Sequence, residues 1–334
     1  MLRQNTVLRE VLFMLVAAIV IFSLRWTMPL IGGYPELATR ILIFGILLLG
    51  FDILVGLTGY LSFGHAAFWG VSAYVCGYFL LHITQNVFLA MFAGIAVVAV
   101  IALLLGFITL RRHGIYFAIL TLAFAEMFYY LALAPLQTWT GGDNGLTGIR
   151  EPHLFGLELS GYNMFIFAGV WTLLALYVAR RIKKSPYGLM LRAIQSNETR
   201  LAYTGVNVFW YKVMAFVISG IFGGVAGSLF AAYEKYVPTE SLHWTFSGEI
   251  VIMAVIGGFG TLIGPMIGAG IVLYLENVLS AVTSQWQLIL GIIFMSFVIF
   301  LPGGVMSLPG RVRKFMRRGS EESSAPATKR QAGD

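Results

Sequence analysis

Ten apolar stretches follow one another along the chain, most of them close to the roughly 20 residues that a helix needs to cross a bilayer core. They predict helices over 11–31, 36–56, 66–84, 87–110, 115–134, 162–181, 211–232, 246–258, 265–280 and 286–302. The eighth and ninth are short and are separated by a glycine-rich run, Gly257-Gly258-Phe259-Gly260-Thr261-Leu262-Ile263-Gly264-Pro265. The expected fold is all-α: a polytopic membrane bundle of about ten transmembrane helices, some short and broken. Residues 1–310 read as one membrane domain, and 311–334 as a tail that is first basic and then disordered.

Composition strengthens this picture. Of the 334 residues 58% are apolar and 11% charged, with a mean hydropathy of +0.83. A soluble domain carries about 25% charged residues, so this chain lacks the polar surface to face water. Arg3 and Arg9 before the apolar run 11–24 look like a signal peptide, but no small-residue cleavage site follows. The run is therefore read as the first membrane helix. Cys76 is the single cysteine, which rules out an intrachain disulfide.

The net charge of +7 raises the possibility of nucleic acid, but its placement points to a membrane instead. With the N-terminus inside the cell, 18 of the 22 Lys and Arg fall in cytoplasmic segments. Arg25, Arg40, Arg150 and Lys235 are the four on the other side. The positive-inside rule thus predicts both termini in the cytoplasm. The run Arg311-Val312-Arg313-Lys314 to Arg318 is expected to lie against anionic headgroups.

Two glycine-rich segments echo each other: Gly56-Leu57-Thr58-Gly59-Tyr60-Leu61 to Gly64, and Gly257 to Gly264. Interrupted helices at matching places in two halves mark the pathway in several transporter folds. Glycine-rich turns also join helices with no such meaning, and the pattern alone leaves both readings open. Gly220, Gly224, Gly264 and Gly268 stand at helical four-residue spacing and read as close helix contacts.

Candidate chemistry is sparse. No Gly-Lys-Ser/Thr loop for ATP is present, and the five histidines have no metal-ligand spacing. Ionisable residues within apolar spans are more informative, because each is costly there. Asp52, Glu126, Glu249 and Glu276 are of this kind. Glu126 shares a helix with Thr121 and Tyr129, so it either lines a pathway or accepts hydrogen bonds that fix packing. Asp52, Ser62, His65, Thr121 and Glu126 form the candidate pathway set.

The segment from Arg180 to Lys212 is long for a helix connection. Ser185-Pro186 can start a helix and Gly205 can end one. Leu189, Met190, Ala193, Ile194 and Leu201 are expected along one face, with Arg192, Gln195, Ser196 and Glu198 elsewhere. Such a helix either docks a protein partner or lies on lipid. The polar run Gln195 to Thr199 favours the partner.

Three stretches carry a resemblance: Ile41 to Phe68, Thr140-Gly141-Gly142-Asp143-Asn144-Gly145-Leu146-Thr147-Gly148-Ile149, and Ser185 to Ile194 onward. With Gly257 to Gly268 they closely resemble the branched-chain amino-acid ABC transporter permeases of the LivM type, over about residues 38 to 305. The resemblance implies an ATP-driven importer of Leu, Ile and Val in a bacterial inner membrane. Its partners would be a second permease of the LivH type, two cytoplasmic ATPases and an external substrate-binding protein. It implies that this chain binds no cofactor, ATP and Mg being used by the ATPases, and is no enzyme. It also implies that segment 183–210 couples to an ATPase, through Gly188, Leu189, Arg192, Ala193, Ile194, Glu198 and Gly205. Here Glu198 to Gly205 is bulkier than the Ala-rich run common in the family. Alternatives are a permease of the same family for urea, short amides or other amino acids, a stand-alone channel or carrier, and an embedded transferase.

Overall fold

The computed structural model describes residues 2–154, 156–301 and 303–308, so the tail 311–334 and the expectations for it lie outside the described residues. In chain order the helices are α1 (Leu2–Leu30), α2 (Pro35–Thr58), α3 (His65–His82), α4 (Val87–Thr109), α5 (Ile115–Leu133) and the one-turn α6 (Gln137–Thr140). A small antiparallel pair follows, β1 (His153–Leu154) with β2 (Leu157–Glu158). Then come α7 (Gly161–Lys184), α8 (Pro186–Ala202), α9 (Val208–Glu234), α10 (Trp244–Gly257), α11 (Ile263–Val282) and α12 (Trp286–Phe300). Each of the ten apolar stretches overlaps one of these helices, and α8 falls in the long connection.

Among the described residues, eight helical segments are long and apolar enough to span a membrane. Of the helices that match the ten apolar stretches, two fall outside this set: α3, which begins and ends on a histidine, and α10, which has 14 residues. These two are the interrupted crossings.

The bundle is built around α2 and α9. Every residue of α2 from Leu37 to Thr58 is buried except Arg40, as expected for a helix apolar on all sides. α9 meets its neighbours through small residues. Gly220 faces Ala102 and Gly224 faces Val98, both on α4, while Gly227 lies against the carbonyl of Trp69 on α3. Close approach lets polar side chains bridge the helices: the Ser72 hydroxyl donates to the Gly224 carbonyl at 2.5 Å and lies 2.6 Å from Ser228 Oγ. Trp69 is fully buried among Phe44, Phe230 and Phe246, with ring centroids 4.9–5.3 Å away.

α10 and α11 form a second tight unit. Gly268 sits on the Met253 carbonyl and Gly264 on Thr261 and Gly257. At the periphery, α12 buries none of its residues and much of α1 is exposed. Their outward faces are apolar, as a helix facing acyl chains or a neighbouring membrane subunit requires. A salt bridge network fastens α1 to α7, where Arg180 and Lys184 both reach Glu10 and the Arg180 guanidinium stacks on Phe13 at 3.4 Å.

Gly268→Ala forces a methyl group into the α10 backbone and should destabilise the bundle by about 1–3 kcal/mol, the usual range for overpacking. Gly270→Ala, whose nearest neighbour would be Ile41 at 3.7 Å, should be near neutral. Thermal unfolding of the two variants in detergent tests the contrast, and equal midpoints would contradict this packing.

Candidate functional site

The chain re-enters the bundle twice, once from each end. After α2 it turns at Gly59, which takes the left-handed conformation (φ 77°). α3 then starts well inside the bundle, because His65 packs on Phe51, about two turns before α2 ends. His65 is fully buried with Nε2 2.7 Å from Ser219 Oγ, and Ser219 donates its proton to the Gly50 carbonyl at 2.7 Å. Nε2 of His65 is therefore the donor in that pair. Such a loop needs its amides satisfied. Thr121 Oγ1 accepts from Phe63 at 3.1 Å, Ser62 Oγ from Gly64 at 3.2 Å, and Ser247 Oγ from Ala66 at 3.0 Å. Ser62, His65 and Thr121 thus gather around one re-entrant loop, joined by Ser247 and Ser219.

The second re-entry follows α9. Lys235 closes that helix with φ 55° and its ammonium pairs with Glu151. The chain then runs back along α3: Tyr74 bonds Thr239 at 3.1 Å, and Gly70 leaves room for Ser241 and Leu242. α10 starts at Trp244, which is exposed, and there the Glu126 carboxylate accepts the Trp244 amide at 2.9 Å. His243 lies 3.8 Å from the same carboxylate. A helix start carries unpaired N–H groups and partial positive charge, so this is a favourable place for a carboxylate. Glu126 is engaged in holding a helix terminus, which is the packing geometry. The glycine motif from Thr140 to Ile149 covers this second segment. Leu146 and Val237 exchange both backbone hydrogen bonds at 3.0 Å, and Thr239 donates to the Gly142 carbonyl at 2.5 Å. Gly141, Gly142, Gly145 and Gly148 all have positive φ, the backbone this fold-back needs.

At the end of the bundle that carries α8, the two glycine-rich segments that echo each other in the sequence meet. Asp52 is fully buried and reaches across to the other copy, accepting from the amides of Gly260 at 2.6 Å and Leu262 at 2.9 Å. Lys183 donates to the Gly260 carbonyl. Leu262 is held at φ 67°, a conformation that costs a non-glycine residue about 1–2 kcal/mol. A Cβ on Gly56 would collide with Asp52 and with the Gly260 amide, so that position has no room for a side chain.

A few residues away, α8 is locked to the bundle through Glu198. Its carboxylate accepts from Tyr60 at 2.6 Å and from Lys212 at 2.7 Å, and His113 lies 3.5 Å away. Lys212 also donates to Tyr60 at 3.0 Å, and Tyr60 lies 2.7 Å from His113 Nδ1. The network ties α8 to the α2–α3 loop, to the α4–α5 connection and to the first turn of α9. Partial burial works against the charged form of Glu198, but the hydrogen bonds and charge of Lys212 and Tyr60 outweigh it and hold its pKa below the ordinary value. Burial, with the Glu198 hydrogen bond, pushes the Tyr60 phenol up.

α8 starts as the sequence predicts: Ser185 Oγ accepts the Gly188 amide at 3.2 Å, with Pro186 in the first turn. It is not one continuous helix to Gly205. Asn197 breaks it with extended φ, ψ, and the Asn197 side chain caps the last turn by accepting from Arg200 at 2.8 Å. The expected faces also divide differently. Gly188, Leu191 and Ile194 are buried against the bundle, with Ile194 only 3% exposed, and Glu198 turns inward. Leu189, Arg192, Gln195, Ser196, Thr199, Arg200, Tyr203 and Gly205 face out, while Ala193 is half-buried. The apolar stripe counted as one face is thus split, because the helix lies along the protein and buries the 188–191–194 edge rather than the side carrying Leu189.

Sequence reasoning missed Tyr60, His113, Lys183 and Lys212. Lys212 offered a signal, a lone lysine entering an apolar span. Among the described residues no group of three or more His, Cys, Asp or Glu is placed to hold a metal ion.

Two helices broken inside the bundle, with polar side chains gathered at the breaks, define the class: a polytopic membrane protein built as transport proteins are. The profile of the family described as branched-chain amino acid transport system / permease component matches residues 33–301, and the chain belongs to this family. It is 28% identical to the high-affinity branched-chain amino acid transport system permease protein LivM of Salmonella typhimurium, over 91% of this chain and 77% of that protein. LivM of Escherichia coli matches over the same extent at 28%. Weaker, partial matches include the ribose import permease protein RbsC of Haemophilus influenzae, 26% identical over 46% of this chain and 50% of that protein. No solved structure matches the chain.

Removing Glu198 alone leaves the buried Lys212 ammonium, 4% exposed, without its carboxylate. Glu198→Ala should cost about 3 kcal/mol, and the double change with Lys212→Met distinctly less. Chemical unfolding of the single and double variants tests this, additive losses being the contrary result. Because the folded-state pKa of Glu198 is lowered, its stabilisation is present above the unfolded value of about 4.3 and fades as pH falls through the lower folded value. A spin label at Thr199 should accordingly gain mobility at acid pH, and not in a Glu198→Gln background.

Proposed function

We infer that the chain is one permease subunit of an ATP-driven importer of branched-chain amino acids. The observation that carries this reading is the match to two LivM permeases over 91% of the chain. In this reading it works in a bacterial inner membrane with a second permease of the LivH type, two cytoplasmic ATPases that use ATP and Mg, and an external binding protein. Both termini and α8 face the cytoplasm, which agrees with the bias of Lys and Arg.

α8 is the coupling surface. It is rigidly joined to the bundle through Glu198, Tyr60 and Lys212, so a push on its outer face reaches the α2–α3 loop and α9 together. The outer face offers Leu189, Arg192, Thr199 and Tyr203, the last 87% exposed, to an ATPase cleft. ATP-driven movement of α8 would shift the re-entrant loop at Ser62 and His65 and alternate access to the pathway. Thr121 and Glu126, which hold the two broken segments, would set how far each can move. Asp52 would keep the 258–262 turn moving with α2.

Leu189→Asp combined with Arg192→Glu should abolish ATP-coupled leucine uptake in proteoliposomes holding the complete complex, while the permease pair still assembles. The intact complex should take up Leu, Ile and Val in preference to urea, ribose and other amino acids. Full uptake by the double variant would remove α8 from coupling, and uptake by this chain alone would make it a carrier rather than a dependent subunit.

A further inference from the structure

At the end of the bundle opposite α8, a cavity of about 180 Å³ opens between α2, α10, α11 and the second re-entrant segment. Arg40 lies on α2 some 12 residues before Asp52, or about 18 Å along the helix from it and away from the α8 end. Glu249 of α10, Glu276 of α11 and Glu240 of the re-entrant segment line the space together with Arg40. Phe44, Trp69 and Phe246 form an apolar wall beside them.

What sets this cavity apart is the state of its charges. Among the described residues, none of Arg40, Glu249 and Glu276 takes part in an ion pair within 4.0 Å. The buried Nε of Arg40 has no hydrogen-bond partner, and the guanidinium lies 5.9 Å from the Phe44 ring. The charged groups near the α8 end are closely paired in the Asp52 and Glu198 clusters, although the buried His65 Nδ1 and Trp69 Nε1 share with Arg40 Nε the lack of a partner. A guanidinium nitrogen buried without an acceptor is costly, and a bound carboxylate would relieve it, while Glu249 is exposed and free to meet an ammonium. The space is on the scale of about six waters, which suits one small molecule.

We propose that this cavity is an outward-facing subsite for a free α-amino acid. Arg40 takes the α-carboxylate, Glu249 with Glu276 takes the α-ammonium, and the aromatic wall receives an aliphatic side chain. A planar guanidinium matches a carboxylate in a paired geometry that no neutral group supplies. The segment 236–243 and the start of α10 complete the lining, so the ligand sits where a helix is broken, as in other transporter folds. The proposal deepens the permease reading and rests on it, for it assigns the first place within this chain that a delivered amino acid would meet.

The test uses the complete complex in proteoliposomes with its binding protein. Arg40→Gln and Glu249→Gln should each lower leucine uptake at least about tenfold, as loss of a hydrogen bond to a charged group does. Arg40→Lys should keep more uptake than Arg40→Gln, and an unchanged yield of assembled complex controls for folding. In a Cys76→Ala background, Thr245→Cys at the cavity wall should react with a small charged thiol reagent added from the outer side. Leucine with the binding protein should slow that reaction. Wild-type uptake in both charge variants, with labelling indifferent to leucine, would overturn the subsite and leave the permease reading standing. If another zwitterionic amino acid is imported in place of leucine and protects Thr245→Cys, the subsite stands and the substrate assignment falls. Import of only an uncharged solute would overturn both.

Discussion

In a hydrocarbon environment every backbone N–H and C=O must find a partner within the protein, and this protein breaks two of its helices there. Most of its internal polar chemistry follows from that constraint. Thr121, Ser62 and Ser247 receive the amides of the first broken segment, and Glu126 receives the start of α10. Asp52 does the same for the turn before α11. A carboxylate that looks out of place in an apolar span is, in each of these cases, the acceptor for a stretch of backbone that is not helical.

This arrangement also explains where the molecule can move. The all-apolar α2 and the small-residue face of α9 form a close-packed centre with little freedom. The broken segments are held by a small number of hydrogen bonds, from Thr121, Ser247 and Glu126 on other helices and from the Leu146 backbone, so each can shift with the elements that hold it. α8 joins this system from outside the bundle through one buried ion pair and one tyrosine. A lever attached by a charged network is stiff in its native geometry, and it gives a force on the surface a route inward.

The two ends of the bundle are chemically unlike. At the α8 end Glu198, Lys212, Lys183 and Asp52 are all engaged in hydrogen bonds. At the other end Arg40, Glu249 and Glu276 line a cavity without pairing.

Hydrophobic runs by themselves determined the helices, because burial of apolar surface in lipid needs only length and composition. Ten of them were legible, together with the start of α8 at Ser185-Pro186, since a cap is a local feature. The glycine echo was legible as a pattern, but its meaning was not. That Asp52, one turn before the first copy, binds the backbone of the second depends on two segments about 200 residues apart lying side by side. The same holds for Lys212 and Glu198, and for which edge of α8 turns inward: Ile194 and Leu189 are equally apolar, and only packing against the bundle separates them. Local order is written in local sequence, whereas the pairing of charges and the choice of buried face are properties of contact, which the tertiary structure alone decides.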